Sequence, residues 1–305
     1  MSGRTVLGID IGGTKTAVAV GPSDGRAPER AVRFATPPDA TAALHRLLEE
    51  AGRLVADRPV DAVGVSFGGH VDGEHVHSLH VPGWDDAGLV PTLRDAFGVG
   101  VRVVNDAEAG AIAEHAARAT AGRAVRNLLY VTVSTGIGGA VVADDRLVRG
   151  AHGLAGELGH YVMADEGRCS CGGVGHLEAL ASGTAIARRA ARELAGTPAD
   201  ARAVALAAAA GDEAAARILV DAATLLGRAL ALAALTVDPD VVVLGGGVAQ
   251  AGETYWAPLR RALSAGTLRP VPLEATVHGT DSPLVGALVV AGGAGAWLPA
   301  VEGAP

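Results

Sequence analysis

The chain has 305 residues, 49% of them hydrophobic and 19% charged, with a formal net charge of -8 at pH 7. That content excludes a mainly disordered polymer, and the acidic balance argues against a nucleic-acid binder, which carries a basic footprint. Two cysteines cannot build a secreted disulfide framework, so the expected compartment is cytoplasmic, and at roughly 100–200 residues per domain the length fits about two domains.

Met1 to Gly8 has no basic stretch followed by an apolar run, so no signal peptide is predicted. Val6 to Ile11 and Thr16 to Val20 are short apolar runs on either side of Gly12-Gly13-Thr14-Lys15, the pattern of a hairpin. Ala31 to Ala35 reads as a third strand, and Ala40 to Val55 has helical spacing, with Leu44, Leu47, Leu48 and Leu54 on one side. Ala62 to Ser66 predicts a buried strand running into Gly68-Gly69. Val101 to Val104 predicts another, running into Asn105-Asp106 and a helix over Ala107 to Ala121. Alternating strands and helices imply an α/β fold with ligand groups at the strand ends.

From Leu128 the pattern restarts: a strand to Val133, the turn Ser134-Thr135-Gly136-Ile137-Gly138-Gly139, and a strand over Ala140 to Ala143. This repeats the first hairpin and predicts two lobes of related design. Gly150 to Gly175 is irregular and of a length at which loops carry function. Helical composition dominates from Leu177 to Leu235, followed by a strand over Val241 to Leu244 that meets Gly245-Gly246-Gly247. A helix over Tyr255 to Leu263 and a last strand over Leu273 to Val277 complete the pattern. Pro283 to Val301 is uncharged and about long enough for a membrane span. It is rich in Gly and Ala and lacks flanking Lys or Arg, so it is read as a buried helix.

Asp10-Ile-Gly-Gly-Thr-Lys-Thr16 is the first chemical constellation, and Lys15 is the only lysine in the chain. Gly12 and Gly13 permit positive φ and close backbone approach, so N–H groups of the turn can face phosphate oxygens. Thr14 and Lys15 complete that turn; Asp10 is placed to hold Mg²⁺ or its waters, and Lys15 to add positive charge. It is not a Walker A loop, whose spacing differs. Thr135 and Gly136 in the second turn suit the far side of a polyphosphate, and Gly245 and Gly246 could pass beneath a nucleotide base or ribose. Each glycine turn taken alone is equally a packing feature.

Asn105-Asp106 stands where a strand meets a helix. Asp there is a good helix cap; it could equally be the base that accepts a hydroxyl proton in phosphoryl transfer, with Asn105 fixing the acceptor. Glu157-Leu-Gly-His160 and Cys169-Ser-Cys171-Gly-Gly-Val-Gly-His176-Leu-Glu178 form the densest cluster. Cys169 and Cys171 are too close in sequence for an unstrained disulfide. With His160 and His176 they offer two thiolates and two imidazoles, a tetrahedral set suited to structural Zn²⁺; the alternative is two reduced cysteines and two unrelated histidines. His70, Glu74, His75, His77 and His80 lack a convergent partner in sequence and read as solvated or substrate-facing polar residues.

In these motifs, and in Leu244-Gly-Gly-Gly and Asp281-Ser-Pro-Leu-Val-Gly-Ala, the chain resembles the ROK group of sugar kinases and repressors within the actin-like ATPase superfamily. The resemblance implies two actin-like (ribonuclease H-like) α/β lobes around a central cleft: a small lobe over residues 1–107 with a C-terminal helix over 283–305 packing back on it, and a large lobe over 108–282 with the nucleotide site and zinc motif. It implies ATP and Mg²⁺ as co-substrate and cofactor, Asp106 as the base, and Gly69, Asn105, Glu157, His160 and Glu178 as sugar contacts. His160 would also ligate zinc through its other nitrogen. A homodimer or tetramer is expected on the same ground.

Three features depart from the group's usual pattern. His176 replaces the third cysteine of the metal motif. The sugar-side turn is Ser66-Phe67-Gly68-Gly69, nearer to N-acetylmannosamine kinases than to glucokinases. His80 stands before Val-Pro-Gly-Trp84, where many members carry Asn. The expected activity is ATP-dependent phosphorylation of the 6-hydroxyl of a hexose, glucose first, with N-acetylmannosamine, another N-acylhexosamine or a cyclitol as alternatives. A ROK repressor would need a winged-helix segment ahead of Asp10, for which nine residues leave no room, and a non-catalytic sugar sensor fits poorly with Asp106 and two phosphate turns.

Overall fold

The computed structural model describes residues 5–56, 58–78, 81–194 and 200–293. These fall into two compact units: unit 1 lies within Met1–Arg126, Asp144–Ala155 and Asp281–Pro305, and unit 2 comprises Asn127–Ala143 and Gly156–Thr280.

Unit 1 contains β1 (Val6–Ile11), β2 (Lys15–Gly21), β3 (Arg30–Ala35), α1 (Ala40–Val55), β4 (Ala62–Phe67), the short hairpin β5 (His70–Asp72) and β6 (His75–His77), α2 (Leu89–Phe97), β7 (Val101–Asn105) and α3 (Asp106–Thr120). The returning segment adds β10 (Arg146–Val148), and the C-terminal segment adds α9 (Ser282–Ala291). The sheet order is β3-β2-β1-β4-β7. β1 pairs antiparallel with β2 and parallel with β4, and β4 pairs parallel with β7. Central strands covered on both faces need apolar or small residues at most positions, which is why Val6 to Ile11 and Ala62 to Ser66 read as buried strands. Leu7, Ile9, Val63 and Val65 are fully buried. α9 lies against β1, β4 and α3; a Cβ on Gly64 would overlap the Ala287 carbonyl, so the close approach of that helix to the sheet requires glycine.

Unit 2 contains β8 (Leu128–Val133), β9 (Ile137–Ala143), α4 (Leu177–Ala181), α5 (Gly183–Glu193), α6 (Ala201–Ala209), α7 (Glu213–Val237), β11 (Val241–Gly245), α8 (Glu253–Gly266) and β12 (Leu273–Ala275). β8 pairs antiparallel with β9 and parallel with β11, which pairs parallel with β12. That order and those directions repeat β2-β1-β4-β7, so the repetition visible in sequence is a repetition of sheet topology. α7 is long and apolar enough to cross a membrane by length and composition, yet 61% of its apolar window is buried inside the protein. Ile218, Leu219, Leu226 and Leu230 supply its core face.

The observed division falls after Arg126 rather than after residue 107. α3 stays with unit 1 because it packs on α9, where Ser282 Oγ lies 3.2 Å from Glu114 Oε1 and Arg118 forms a buried ion pair with Glu114. Of the expected C-terminal helix, Ser282–Ala291 is observed and buried, and residues 294–305 lie outside the described residues. Sequence periodicity missed α2, a helix of nine residues whose Pro91 sits in the first turn, where a missing N–H costs little. It also missed β5, β6 and β10, each only three residues long.

Candidate functional site

Three parallel strands of unit 1 end level with one another. The β1–β4 register sets Asp10 beside Ser66 and Ile11 beside Phe67, and the β4–β7 register sets Phe67 beside Asn105. Gly12, Gly68 and Asp106 follow directly, at the carboxyl edge of the sheet where α/β folds bind ligands. A Cβ on Gly68 would lie 3.4 Å from Gly12 Cα and 3.9 Å from Asp106 Oδ2.

Ser66 Oγ donates to Asp10 Oδ1 at 2.8 Å. Burial pushes the Asp10 carboxyl up to about 7; the negative charge of Asp106 adds to this, while the Ser66 bond and the Lys15 charge oppose it. A buried carboxylate with a second negative charge acting on it is favoured by a cation, so Asp10 fits a role in holding Mg²⁺ or its waters. In the turn, Gly12 N donates to the Lys15 carbonyl at 3.0 Å and Thr36 Oγ1 to the Gly12 carbonyl at 2.7 Å. Thr14 and Lys15 are exposed. Neither Gly12 nor Gly13 takes a positive φ. The expected left-handed backbone is not used there, and what Gly12 needs is room, since a Cβ would press on the Lys15 carbonyl at 3.0 Å.

Because Asp10 ionises near 3.8 when unfolded and at about 7 when folded, the folded state keeps a proton that the unfolded state has already lost. Stability therefore falls as pH rises through that window. In magnesium-free buffer, Asp10→Asn is expected to gain Tm relative to wild type on going from about pH 5 to about pH 8. A Tm difference that does not change with pH overturns this.

The residue that caps α3 is Asn105, not Asp106. Asn105 Oδ1 accepts from Ala107 N at 2.8 Å, and Glu108 Oε2 accepts from Asn105 N at 3.1 Å, completing a capping box. Asn105 Nδ2 donates to the Gly69 carbonyl at 2.8 Å. Capping thus accounts for Asn105 and leaves Asp106, the first helical residue, without that explanation. Asp106 Oδ1 accepts from Ala107 N at 2.8 Å, at the helix end that favours negative charge. Gly69, expected to contact sugar through its backbone, has its N–H on the Phe67 carbonyl at 3.0 Å and its carbonyl on Asn105. A Cβ there would overlap the His77 carbonyl, so the β5–β6 hairpin also demands glycine. His77 Nδ1 lies 2.8 Å from Asp85 Oδ1. Among the described residues, the histidines of this hairpin form no metal-ligand group; His80 lies outside the described residues.

In unit 2, Ser134 N donates to the Gly136 carbonyl at 2.9 Å, closing the turn before β9. Ile137 N donates to Glu178 Oε2 at 3.0 Å, and a Cβ on Gly136 would overlap that carboxylate. Glu178 Oε1 accepts from Ser170 Oγ at 3.2 Å and from Cys169 Sγ at 3.6 Å. One carboxylate therefore ties the Thr135-Gly136 turn to the cysteine loop. A cavity of about 900 Å³ opens on the same turn, lined by Ser134, Thr135, Gly183, Thr184, Leu206, Gly247 and Gln250 among others. Its size and its pairing of turn hydroxyls with the 62% exposed Leu206 suit a nucleotide. Gly245 is buried beneath Tyr130, and Gly246, at φ 86, turns the chain against Val133. They shape the wall, and Gly247 lines it. α6 and Gln250 also line it, and no motif announces them.

His160, Cys169, Cys171 and His176 come together, with their ligand atoms all within 4.8 Å of one another. His176 Nδ1 lies 3.2 Å from His160 Nδ1 and 3.3 Å from Cys171 Sγ. Zn–S bonds of about 2.3 Å and Zn–N bonds of about 2.0–2.1 Å place tetrahedral donors roughly 3.3–3.8 Å apart. These two separations are close to that range and the widest is within 4.8 Å, so the two-sulfur, two-nitrogen set suits zinc by its donor chemistry and needs some drawing-in to bind it. Burial raises the Cys169 thiol, which a metal would hold as thiolate. His160 turns its Nδ1 to this set and its Nε2 to Glu157, 3.6 Å from Oε2.

The family model "ROK family" matches residues 6–293. The chain is 40% identical over 300 residues to an N-acetylmannosamine kinase of Citrobacter koseri, covering 95% of this chain and 99% of that one. Among solved structures, it matches a ROK hexokinase from Thermus thermophilus with a TM-score of 0.80 and 36% identity, over 94% and 98% of the two chains. It matches a ROK family glucokinase from Streptomyces griseus, solved with glucose and AMPPNP, with a TM-score of 0.81 and 30% identity, over 94% and 99%.

Proposed function

From the premise that this chain belongs to the ROK family and is a sugar kinase, we propose that it phosphorylates the 6-hydroxyl of N-acetylmannosamine, with ATP as donor. The observation that carries the acceptor is the 40% identity, over 95% of the chain, to an N-acetylmannosamine kinase. The Ser66-Phe67-Gly68-Gly69 turn supports the same reading. Glucose, the first expectation from sequence, is the second reading, favoured by the likeness to the glucose-bound Streptomyces griseus glucokinase.

The roles divide by unit. In unit 1, Asp106 takes the proton of the acceptor hydroxyl, Asp10 holds Mg²⁺ or its waters, and the Gly12-Gly13-Thr14-Lys15 turn faces phosphate. In unit 2, the cavity on Thr135 and Gly136 takes the nucleotide, while Glu157, His160 and Glu178 read sugar hydroxyls. Carboxylates and imidazoles left unpaired by a sugar lacking those hydroxyls would reject it. Asn105 acts by holding the Gly69 turn. When bound, magnesium offsets charge on the transferred phosphoryl group; the transfer has a loose transition state, so placement of Asp106 and the donor matters more than base strength. Zinc on His160, Cys169, Cys171 and His176 would brace the loop that carries Glu178's partners. A homodimer or tetramer is expected on the family resemblance alone, and a cytosolic location suits a kinase drawing on cellular ATP.

The test is kcat/KM by ADP release for N-acetylmannosamine, N-acetylglucosamine, mannose, glucose and cyclitols. N-acetylmannosamine is expected to exceed glucose by at least about tenfold; a preference for glucose overturns the acceptor assignment and leaves the kinase reading standing.

A further inference from the structure

The first turn of α3 carries an ion pair that capping alone does not require. A capping box needs an acceptor at the third helical position, and glutamine serves there as well as glutamate. This chain has Glu108, only 6% exposed, and a buried carboxylate must be paired. Its Oε2 accepts from Asn105 N at 3.1 Å, and its Oε1 accepts from Arg149 Nε at 2.8 Å. Arg149 belongs to the segment Asp144–Ala155 that returns to unit 1, and its side chain is 24% exposed. The bonds form one path: Arg149 to Glu108, Glu108 to the Asn105 backbone, and the Asn105 side chain to the Gly69 carbonyl. Asp106 is the residue after Asn105.

We propose that Arg149 is a positioning residue for Asp106: by pairing with Glu108 it keeps that carboxylate on the Asn105 backbone, and so holds the base and the Gly69 turn in place. The inference rests on the reading of Asp106 as the base. With Arg149 gone, Glu108 is a lone buried charge, and turning to water relieves it at the cost of the cap. A neutral amide at 108 has no such need and can cap without a counter-charge.

The experiment is a double-mutant cycle with Arg149→Met, Glu108→Gln and both together, measured in the full chain. Arg149→Met is expected to lower kcat about tenfold or more, since small misplacements of reacting groups are costly, with KM for ATP changed less than about twofold. Glu108→Gln alone stays within about threefold of wild type, and the double variant returns to that level. A merely structural role would lower Tm in the single and double variants alike without this rescue of kcat. Wild-type kcat in Arg149→Met, or a double variant as slow as Arg149→Met, overturns the proposal. If Arg149→Met does not fold, Arg149→Lys replaces it, with the same rescue by Glu108→Gln expected and its absence decisive. Asp106→Asn separates the two readings. If that variant is inactive while Arg149→Met is not impaired, only this proposal fails; if it keeps full activity, the base assignment itself fails.

Discussion

Replacing Asp106 by asparagine is expected to lower kcat by about 10²–10⁴-fold, the range for loss of a general base, with KM for ATP changed less than about twofold. The variant should fold. The α3 cap is Asn105, through Ala107 N, Glu108 and Gly69, so the substitution leaves the capping box intact. Asparagine has nearly the shape of aspartate and no basic oxygen for a hydroxyl proton. A loose transition state makes less demand on base strength, which argues for the lower half of that range. The variant also removes the negative charge that helps hold Asp10 up, so the Asp10 carboxyl moves down. Steady-state kinetics alongside thermal melts check this; a kcat above about a tenth of wild type in a folded Asp106→Asn removes Asp106 from the role of base.

The second large effect concerns metal. Protein purified without added zinc is expected to carry about one Zn per chain, and His176→Ala or Cys171→Ser to carry almost none. If the ion contributes about 3 kcal/mol, its loss lowers Tm by about 6–12 °C for a unit of this size. The cysteine loop has backbone ties of its own, such as Cys169 N to the Gly173 carbonyl at 2.9 Å and Gly175 N to the Gly167 carbonyl at 2.8 Å, so it should loosen rather than unfold. Loosening reaches the chemistry by two routes. His160 presents one nitrogen to the metal set and the other to Glu157. Glu178 links Cys169 and Ser170 to the Ile137 amide in the turn that lines the cavity. Metal-depleted protein should therefore show a higher KM for sugar and, through the turn, for ATP as well. Elemental analysis, melts and both KM values check this; protein free of zinc as purified, with melting and kinetics unmoved by chelators, overturns it.

Much of this was legible before any coordinates. The central strands β8 and β11 are nearly continuous apolar runs because parallel strands covered on both faces have no solvent side, and the two glycine turns mark the same hairpin in each unit. The four metal-ligand candidates stand out because two thiols and two imidazoles fall in one short stretch of sequence. Burial by contrast is collective, and it hid other features: Leu206 is exposed in the cavity wall, which its helical setting does not announce, and Gly247 rather than Gly245 or Gly246 lines that cavity.

What the sequence determined by itself is the order of elements, the repeated hairpin and the residue types able to do the chemistry, because these depend on local periodicity, turn stereochemistry and functional groups. Only the tertiary structure decided which of two neighbours caps α3, that Glu178 bridges a turn and a metal loop, and that Arg149 pairs with Glu108. Each is a contact between residues far apart in the chain or a choice between adjacent rotamers. Such choices are made by burial and hydrogen-bond geometry, which come into being only when the strands and helices pack.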